Sequence, residues 1–170
     1  MKDLLEHLPR LRRYARALTG DRLAADDLVQ DTVERALSRS MLFRRGTKLD
    51  AWLLTIMHNI FVSQMRQAAT HPPVMSLEEI TFDPSSSTKP PEQVELHDLE
   101  HALAKLPVDQ REVLLLIGLE EFSYEEAARI LNIPVGTVMS RLSRARERLR
   151  SLLNGEIAPE TRTTSFKIVK

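Results

Sequence analysis

Prolines divide this chain of 170 residues into two blocks. Five of its nine prolines lie between residues 71 and 92, beside the run Ser85-Ser86-Ser87-Thr88, and such a stretch cannot continue a long helix. On either side, apolar residues recur at spacings of three and four, and the alternation typical of strands is hard to find. The pattern predicts an all-α protein of two small helical domains joined by a Pro/Ser-rich linker.

Four segments follow from this division. The first domain spans residues 1–70, and a linker follows over 71–92. The second domain spans residues 93–153, and residues 154–170 form a polar tail with no predicted structure. Helices are expected over residues 3–18, 24–38, 49–67, 93–105 and 108–119, before a further helical pair that ends the second domain.

Composition excludes several classes of protein. The 24 basic and 24 acidic side chains cancel, so net charge indicates no partner. No cysteine is present, which excludes disulfide scaffolds, thiolate zinc sites and thiol nucleophiles. The charged N-terminus lacks a signal-peptide core, and no window approaches the roughly 18 apolar residues of a membrane span. We therefore expect a cytoplasmic protein with no membrane insertion.

Motifs for catalysis and metal binding are weak. His97 and His101 stand four residues apart with Glu100 nearby, a spacing that can hold zinc, but no third ligand pattern accompanies them. The five glycines are scattered and form no phosphate-binding loop, and no nucleophile elbow is visible. The sequence predicts no catalytic site, no metal and no cofactor, and therefore no enzyme.

The segment after residue 120 has the features of a helix-turn-helix. Ser123 and Glu126 form a capping box, which begins a short helix. Asn132 stands where the chain must turn, and asparagine tolerates the left-handed conformation better than other non-glycine residues. Pro134 then opens a second helix. Two helices joined by such a turn predict a DNA-binding motif, with a solvated helical hairpin as the alternative.

Charge is unevenly distributed across this motif. Five arginines and one glutamate lie between Pro134 and Arg150, whereas residues 120–126 contain four glutamates and no basic residue. The apolar residues of the second helix are Val138, Leu142, Ala145, Leu149 and Leu152. The side chains that we predict to contact DNA bases or phosphates are Thr137, Ser140, Arg141, Arg144 and Arg148.

The first domain has two polar faces of its own. On its second helix an acidic stripe at i, i+3, i+4 and i+7 suits a basic protein partner, although an ordinary solvated face is the alternative. The stripe contains Asp27, Gln30, Asp31 and Glu34. On its third helix the residues predicted to face outward are Thr55, His58, Asn59, Val62, Ser63 and Arg66. Trp52 lies on the apolar stripe of that helix, which favours core packing.

The motifs also carry a family resemblance. LPVDQREVLLLIGLEEFSYEEAARILNIPVGTVMSRLSRARERL resembles the domain that reads the minus-thirty-five element in bacterial RNA polymerase sigma factors of the extracytoplasmic-function (ECF) group, which are related to sigma-70. DDLVQDTVERAL and GTKLDAWLLTIMHNIFVSQMR resemble the other domain of that group. The resemblance covers about residues 8–153, in the order of the family.

This resemblance implies a role for each face. The acidic stripe falls on the helix that docks on the β′ clamp helices of core RNA polymerase, and the second domain falls near the β flap. A loop that captures a flipped base and a helix that reads the minus-ten strand provide the remaining DNA contacts. These residues are Phe43, Arg44, Arg45, Lys48, His58, Asn59, Ser63 and Arg66.

The function that the resemblance implies is that of an alternative sigma factor, which directs promoter-specific transcription initiation in a stress response. An anti-sigma factor is the implied regulatory partner, beside core polymerase and promoter DNA. Two alternatives remain open: a sigma-like decoy that sequesters an anti-sigma factor, and a stand-alone helix-turn-helix regulator.

Overall fold

The structure is a computed structural model that describes residues 2–44, 46–71 and 91–155. Residues 72–90 of the predicted linker, residues 156–170 of the predicted tail and the candidate residue Arg45 lie outside the described residues. Within the described ranges the chain forms seven α-helices and one 3₁₀ turn, and contains no strand. The predicted all-α class is therefore confirmed.

The helices follow the predicted order. The 3₁₀ turn is Ser40–Leu42, between the second and third helices. The helices are α1 Lys2–Thr19, α2 Arg22–Ser38, α3 Leu49–Thr70, α4 Pro91–Lys105, α5 Val108–Gly118, α6 Tyr124–Leu131 and α7 Val135–Leu153. Helix α3 extends to the edge of the predicted linker and α4 begins two residues inside it, so both are a few residues longer than the periodicity indicates. Among the described helices, none is long and apolar enough to cross a membrane.

Helices α1, α2 and α3 form the N-terminal block. Asp21 caps α2, since its carboxylate accepts a hydrogen bond from the backbone N–H of Ala24 at 2.8 Å. The block buries Leu18 of α1, Leu28 of α2 and Leu53 of α3 almost completely. Burying each such side chain contributes about 1.5–3 kcal/mol, and this common core fixes the faces that the three helices present to solvent.

The predicted apolar faces are largely confirmed, with two corrections. The spacing of three and four places Leu37 on the apolar face of α2 and Met65 on that of α3, but these residues are 39% and 46% exposed, whereas Leu54, which lies off that face of α3, is buried. Each exposed residue lies in the last two turns of its helix. Leu54 is buried because α3 packs against α2 on one side and against α6 on another.

Helices α4 to α7 form the C-terminal block. Arg111 of α5 is 8% exposed and donates hydrogen bonds to three backbone carbonyls at 2.6–2.9 Å, those of Leu18, Ala104 and Leu106. Its guanidinium therefore satisfies carbonyls at the ends of α1 and α4, which have no partner within their own helices. Burial lowers the pKa of Arg111.

The two blocks pack directly against each other. Helix α1 contacts α4 and α5, and α3 contacts α6. The sequence pattern predicts two tethered modules and gives no indication of this contact. The surface between the blocks matters for function because it includes side chains that the sequence assigns to DNA.

Candidate nucleic-acid interface

The helix-turn-helix has the predicted local geometry. Ser123 Oγ accepts from the backbone N–H of Glu126 at 3.2 Å, and a Glu126 carboxylate oxygen accepts from the backbone N–H of Ser123 at 2.9 Å. Asn132 ends α6 in the left-handed conformation, with φ 52° and ψ 49°. Pro134 then precedes α7 in extended conformation. The capping box and the asparagine turn are both confirmed, and together they fix the direction in which α7 leaves the turn.

Helix α7 has one buried and one polar face. Val138, Leu142 and Ala145 are buried, and they anchor the helix to α5 and α6. Of the predicted DNA contacts, Ser140 and Arg144 are exposed, while Thr137, Arg141 and Arg148 are partly buried. Arg141 Nε lies 3.4 Å from Asp109 Oδ2. All five candidates avoid the buried face, so the helix presents a basic polar surface, and a major groove admits a helix of this kind.

The loop before α3 is compact. The Phe43 ring is partly buried and packs against Trp52, with ring centroids 5.2 Å apart and planes tilted by 56°. The loop turns through Gly46 at φ 102°, a backbone conformation that side chains disfavour. Arg44 and Lys48 are exposed, and Lys48 is the N-cap residue that directly precedes α3. Phe43 and Trp52 therefore form one aromatic pair at the edge of the N-terminal core.

The predicted minus-ten residues of α3 divide into two groups. Asn59, Ser63 and Arg66 are all exposed, and their i, i+4, i+7 spacing places them on one face. His58 is different, since its side chain is only 15% exposed and its Nδ1 lies 2.7 Å from Glu112 Oε1 of the C-terminal block. The sequence predicts an outward His58, whereas the structure places it between the blocks.

The acidic stripe of α2 faces solvent. Its four residues Asp27, Gln30, Asp31 and Glu34 are all exposed, whereas Leu28 and Thr32 on the opposite side of the helix are buried. Gln30 donates to Glu34 at 3.0 Å, and Gln64 of α3 donates to Asp31 at 3.2 Å. The stripe is thus a continuous polar surface that a basic partner can reach.

Acidic residues of the C-terminal block contact basic residues of the N-terminal block. Lys48 Nζ donates to Glu126 Oε1 at 2.6 Å. Glu120 is 3% exposed, and its side chain pairs with Arg10 and Arg13, while Arg10 also bonds Asp50 at 2.7 Å. The glutamates of residues 120–126 therefore serve in part as the contact surface between the blocks.

Apolar packing accompanies these ion pairs. The Arg10 guanidinium carbon lies 5.4 Å from the centroid of the Phe122 ring, within the range of a cation–π interaction. Tyr14 is fully buried beside this cluster. Burial, and secondarily the charges of Glu112 and Glu120, raise the pKa of its hydroxyl well above the ordinary value.

A groove of about 540 Å³ runs between the blocks. Its lining includes His58 and Arg66, which are candidates for the minus-ten element, and Arg141, which is a candidate for the upstream element. Apolar side chains, among them Met65 and Val108, supply much of the remaining wall. The structure therefore brings together residues that the sequence assigns to two different DNA elements.

Sequence reasoning misses the residues that join the blocks, above all Arg10, Arg111, Glu112 and Glu120. The sequence gives one local signal of burial. Arg111 and Glu112 directly precede the apolar run of α5, and both lie on the side of the helix that is buried in the structure. Their partners in the other block lie 54 or more positions away, and no periodicity of a single chain identifies them.

Metal-binding groups are sparse in the described ranges. Within these ranges, no group of three or more His, Cys, Asp or Glu side chains is close enough together to hold a metal ion. The rings of His97 and His101 instead pack edge to face, with centroids 4.4 Å apart.

Two family models match the chain. Residues 96–149 match the model described as Sigma-70, region 4, and residues 4–58 match the model described as the Sigma2 domain of PhyR. The first match covers the described helix-turn-helix, and the second covers α1, α2 and the first part of α3.

Curated relatives match over most of the chain. The ECF RNA polymerase sigma factor EcfG of Rhodopseudomonas palustris is 40% identical over 153 residues, which cover 89% of this chain and 83% of that protein. The ECF RNA polymerase sigma factor SigM of Bacillus subtilis is 30% identical over 149 residues, covering 87% of this chain and 91% of SigM.

Solved structures of similar proteins include complexes. The sigma factor RpoE in complex with the anti-sigma factor NepR from Bartonella quintana has a TM-score of 0.73 and 40% identity, over 92% of this chain and 97% of that chain. A PhyRSL–NepR complex from Sphingomonas sp. Fr1 has a TM-score of 0.64 and 26% identity, over 94% of this chain and 92% of that chain.

Proposed function

Because the chain belongs to the ECF group of RNA polymerase sigma factors, alternative sigma factors that direct transcription, we propose a specific division of labour among its faces. The acidic stripe of α2 docks on core polymerase. The loop at Phe43 and the exposed face of α3 contact the minus-ten element, while α7 enters the major groove of the minus-thirty-five element. The family comprises initiation factors rather than enzymes, and we assign the chain no catalytic step and a cytoplasmic site of action.

The observation that carries this proposal is the outward face of α7. Ser140 and Arg144 are exposed above a buried row that begins at Val138, on a helix whose entry the capping box and Asn132 fix. Arginine can read guanine edges or neutralise phosphates, and serine can donate to either. A chain that bound only regulatory proteins would have no need of this surface.

Support for polymerase docking comes from the N-terminal block. The stripe from Asp27 to Glu34 is exposed and contains three carboxylates. Complementary charge steers association and suppresses wrong partners, so a basic protein surface is the natural ligand of such a face. The stripe and α7 lie in different blocks, which allows polymerase and upstream DNA to be bound by different parts of the chain.

Regulation by an anti-sigma factor is a further part of the proposal. The similar sigma factor RpoE is held by the anti-sigma factor NepR in its solved complex. We extend this type of partner to the present chain, which shares 40% identity with RpoE over nearly its whole length. Release from such a partner under stress would then control when the chain reaches core polymerase.

The decoy alternative has one observation in its favour. Residues 4–58 match the model for the Sigma2 domain of PhyR, and a structure of PhyR is described as that of an anti-anti-sigma factor. The sequence identities favour a sigma factor over a decoy, because the chain is 40% identical to EcfG and 26% identical to PhyRSL.

Run-off transcription with purified core polymerase tests the proposal. We expect the full chain to direct transcription from promoter-containing genomic fragments and to shift those fragments strongly only when core is present. A decoy would capture an anti-sigma factor and yield no transcript. A stand-alone regulator would shift DNA equally well without core.

A further inference from the structure

The first turns of α7, residues 135–140, contain no charged side chain, and the arginines of the helix begin only at Arg141. Val138 is buried in this stretch and anchors it to the core. In a helix-turn-helix the N-terminal residues of the second helix contact the base edges. The part of α7 that we expect to lie deepest in the major groove is therefore uncharged. Its exposed residues are Gly136, Met139 and Ser140.

Within the described residues 135–140, Met139 is the one exposed residue with a long side chain. Gly136 has no side chain, and Ser140 donates its hydroxyl hydrogen bond back to the Thr137 carbonyl at 3.1 Å. Met139 is 53% exposed. A single exposed methionine is ordinary on a protein surface and indicates nothing by itself. Here its position is informative, because it lies on the helix that we assign to the major groove.

Gly136 gives a second observation on the same flank of the helix. Apart from its own helix backbone and its two chain neighbours, no described atom would lie within 4 Å of a Cβ at this position, and its φ is not in the left-handed region. Neither packing nor backbone conformation in the described residues requires glycine here, although glycine weakens a helix relative to alanine. Positions i and i+3 are neighbours on a helix, so Gly136 leaves open space beside Met139. A base edge can therefore approach this flank closely.

The chemistry of Met139 selects one group in the major groove. Thymine presents a C5-methyl there, whereas the other bases present hydrogen-bond donors and acceptors. The methionine thioether has no donor and is only a weak acceptor, but its flexible chain packs well on irregular apolar surfaces. Arg141 lies two residues further on, which corresponds to about 200° of rotation around the helix. Apolar contact and charge are therefore presented on opposite flanks of the same face.

We propose that Met139 is a specificity-determining residue that packs on a thymine C5-methyl in the minus-thirty-five element. This inference rests on the proposed function and adds an apolar contact to the polar ones. The polar pattern of α7 does not identify Met139, because that pattern selects hydroxyl and guanidinium groups. The contact involves no charge, so its contribution to binding is independent of salt, unlike that of an arginine at a phosphate.

Replacing thymine by uracil tests the contact, because uracil lacks only the C5-methyl and keeps the same base pairing. The probe is a synthetic duplex of a promoter on which the wild-type chain starts transcription with purified core polymerase. Each thymine of the minus-thirty-five region, on either strand, is replaced in turn. Fluorescence anisotropy with the holoenzyme, formed from the full chain and core polymerase, measures the dissociation constant for each duplex.

Three variants of α7 complete the experiment. Met139→Ala removes the apolar contact, and Met139→Leu keeps an apolar side chain of similar volume. Alanine, leucine and methionine all favour a helix, and the position is half exposed, so both variants retain the fold. Leu153→Ala is the matched control, since it removes an exposed apolar side chain from the last turn of the same helix.

We expect the wild type to lose about fourfold in affinity when uracil replaces thymine at one or two positions, which is the effect of one buried methyl group. Met139→Leu and the control should show the same loss. Met139→Ala should bind the thymine duplex at least about fourfold more weakly than the wild type does, and should bind the thymine and uracil duplexes equally. Its salt slope should match that of the wild type, since no phosphate contact is removed.

Equal binding of thymine and uracil duplexes by the wild type at every position would overturn the proposal. A uracil effect of the same size in Met139→Ala, or a minus-thirty-five region without an A·T pair, would overturn it as well. Any effect of uracil on DNA shape persists in the alanine variant, so the comparison of the two proteins isolates the contact. Run-off transcription separates this inference from the proposed function. Transcription without a methyl effect removes only the thymine contact, whereas absence of any transcript removes the sigma function and the contact with it.

Discussion

Lys48 Nζ donates a hydrogen bond to Glu126 Oε1 at 2.6 Å, although 78 positions of sequence separate the two residues. This hydrogen bond, together with the backbone N–H of Ser123, lowers the pKa of Glu126 from 4.5 to about 2. The ionised carboxylate therefore stabilises the folded chain above pH 4.5, and the stabilisation is lost as the pH falls toward about 2. The same partner raises the pKa of Lys48.

We predict that Glu126→Gln lowers thermal stability at pH 7 and that its difference from the wild type shrinks steadily below pH 4.5. Glutamine keeps the capping hydrogen bond, so the comparison isolates the charge. Differential scanning calorimetry at several pH values measures the effect, with Glu125→Gln as control. A difference that stays constant from pH 7 to pH 3 would contradict the assigned origin of the pKa shift.

The turn of the helix-turn-helix gives a prediction about stability. Asn132 occupies the left-handed region at φ 52°, where a side chain beyond Asn or Asp meets a steric cost of about 1–2 kcal/mol. We expect Asn132→Ala to destabilise the chain by about 1 kcal/mol and Asn132→Gly to be close to neutral. Urea unfolding measures both variants. Asn154→Ala is the control, since Asn154 ends α7 at φ −80° without strain; equal losses at the two sites would exclude the backbone explanation.

The confirmed capping box and asparagine turn illustrate what a sequence can predict here. Both depend on residues within ten positions of one another, so composition and spacing carry the whole argument. Spacings of three and four between apolar residues likewise predict each helix, because a helix that packs on a single core buries a single apolar face. Helix α3 departs from this rule at Leu54, since it packs against partners on two sides.

The contact between blocks illustrates what the sequence leaves undetermined. Arg10 pairs with Glu120 across 110 positions, in a chain that offers 24 basic and 24 acidic side chains. Helical periodicity assigns each charge to a polar face but cannot select its partner. For the same reason His58 is predicted to face outward: the neighbour that covers it, Glu112, belongs to the other block.

The acidic stripe provides a test of polymerase docking. Asp31 is exposed, and its only described side-chain partner is Gln64. We predict that Asp31→Lys weakens core polymerase binding by about tenfold or more, because like charges at an interface repel, while helicity stays unchanged. Glu6→Lys reverses an exposed charge on α1 and is the control. Competition for core at wild-type strength by the Asp31 variant would remove the docking role of this face.

The aromatic pair gives a prediction about strand opening. Phe43→Leu retains apolar contact with Trp52 but removes the ring on which a flipped base can stack, whereas Phe43→Tyr keeps the ring. Stacking contributes about 1–3 kcal/mol per base, so we expect the leucine variant to form about 5- to 150-fold less open complex and the tyrosine variant to recover most of it. Permanganate reactivity of promoter thymines measures opening. Equal reactivity with leucine and tyrosine would exclude stacking at this position.

The outward face of α7 allows base contacts to be distinguished from phosphate contacts. Arg144 is exposed. Arg141 Nε lies 3.4 Å from Asp109 Oδ2, and this contact orients the Arg141 guanidinium. We predict that alanine at either position weakens binding of the holoenzyme to an upstream promoter fragment. Loss of a base contact should cost about 1–3 kcal/mol and relax preference at one base pair, and loss of a phosphate contact should reduce the salt slope by about one.

Because Asp109 holds Arg141 in a defined orientation, we expect Arg141 to act at a base and the freer Arg144 to act at a phosphate. Titration of each variant at several salt concentrations, against wild-type and single-base-substituted fragments, separates the two effects. Lys105→Ala removes an exposed charge from α4 and controls for general electrostatics. If all three variants changed affinity and salt slope alike, α7 would act only through its net charge, and the assignment of its polar face to sequence reading would be wrong.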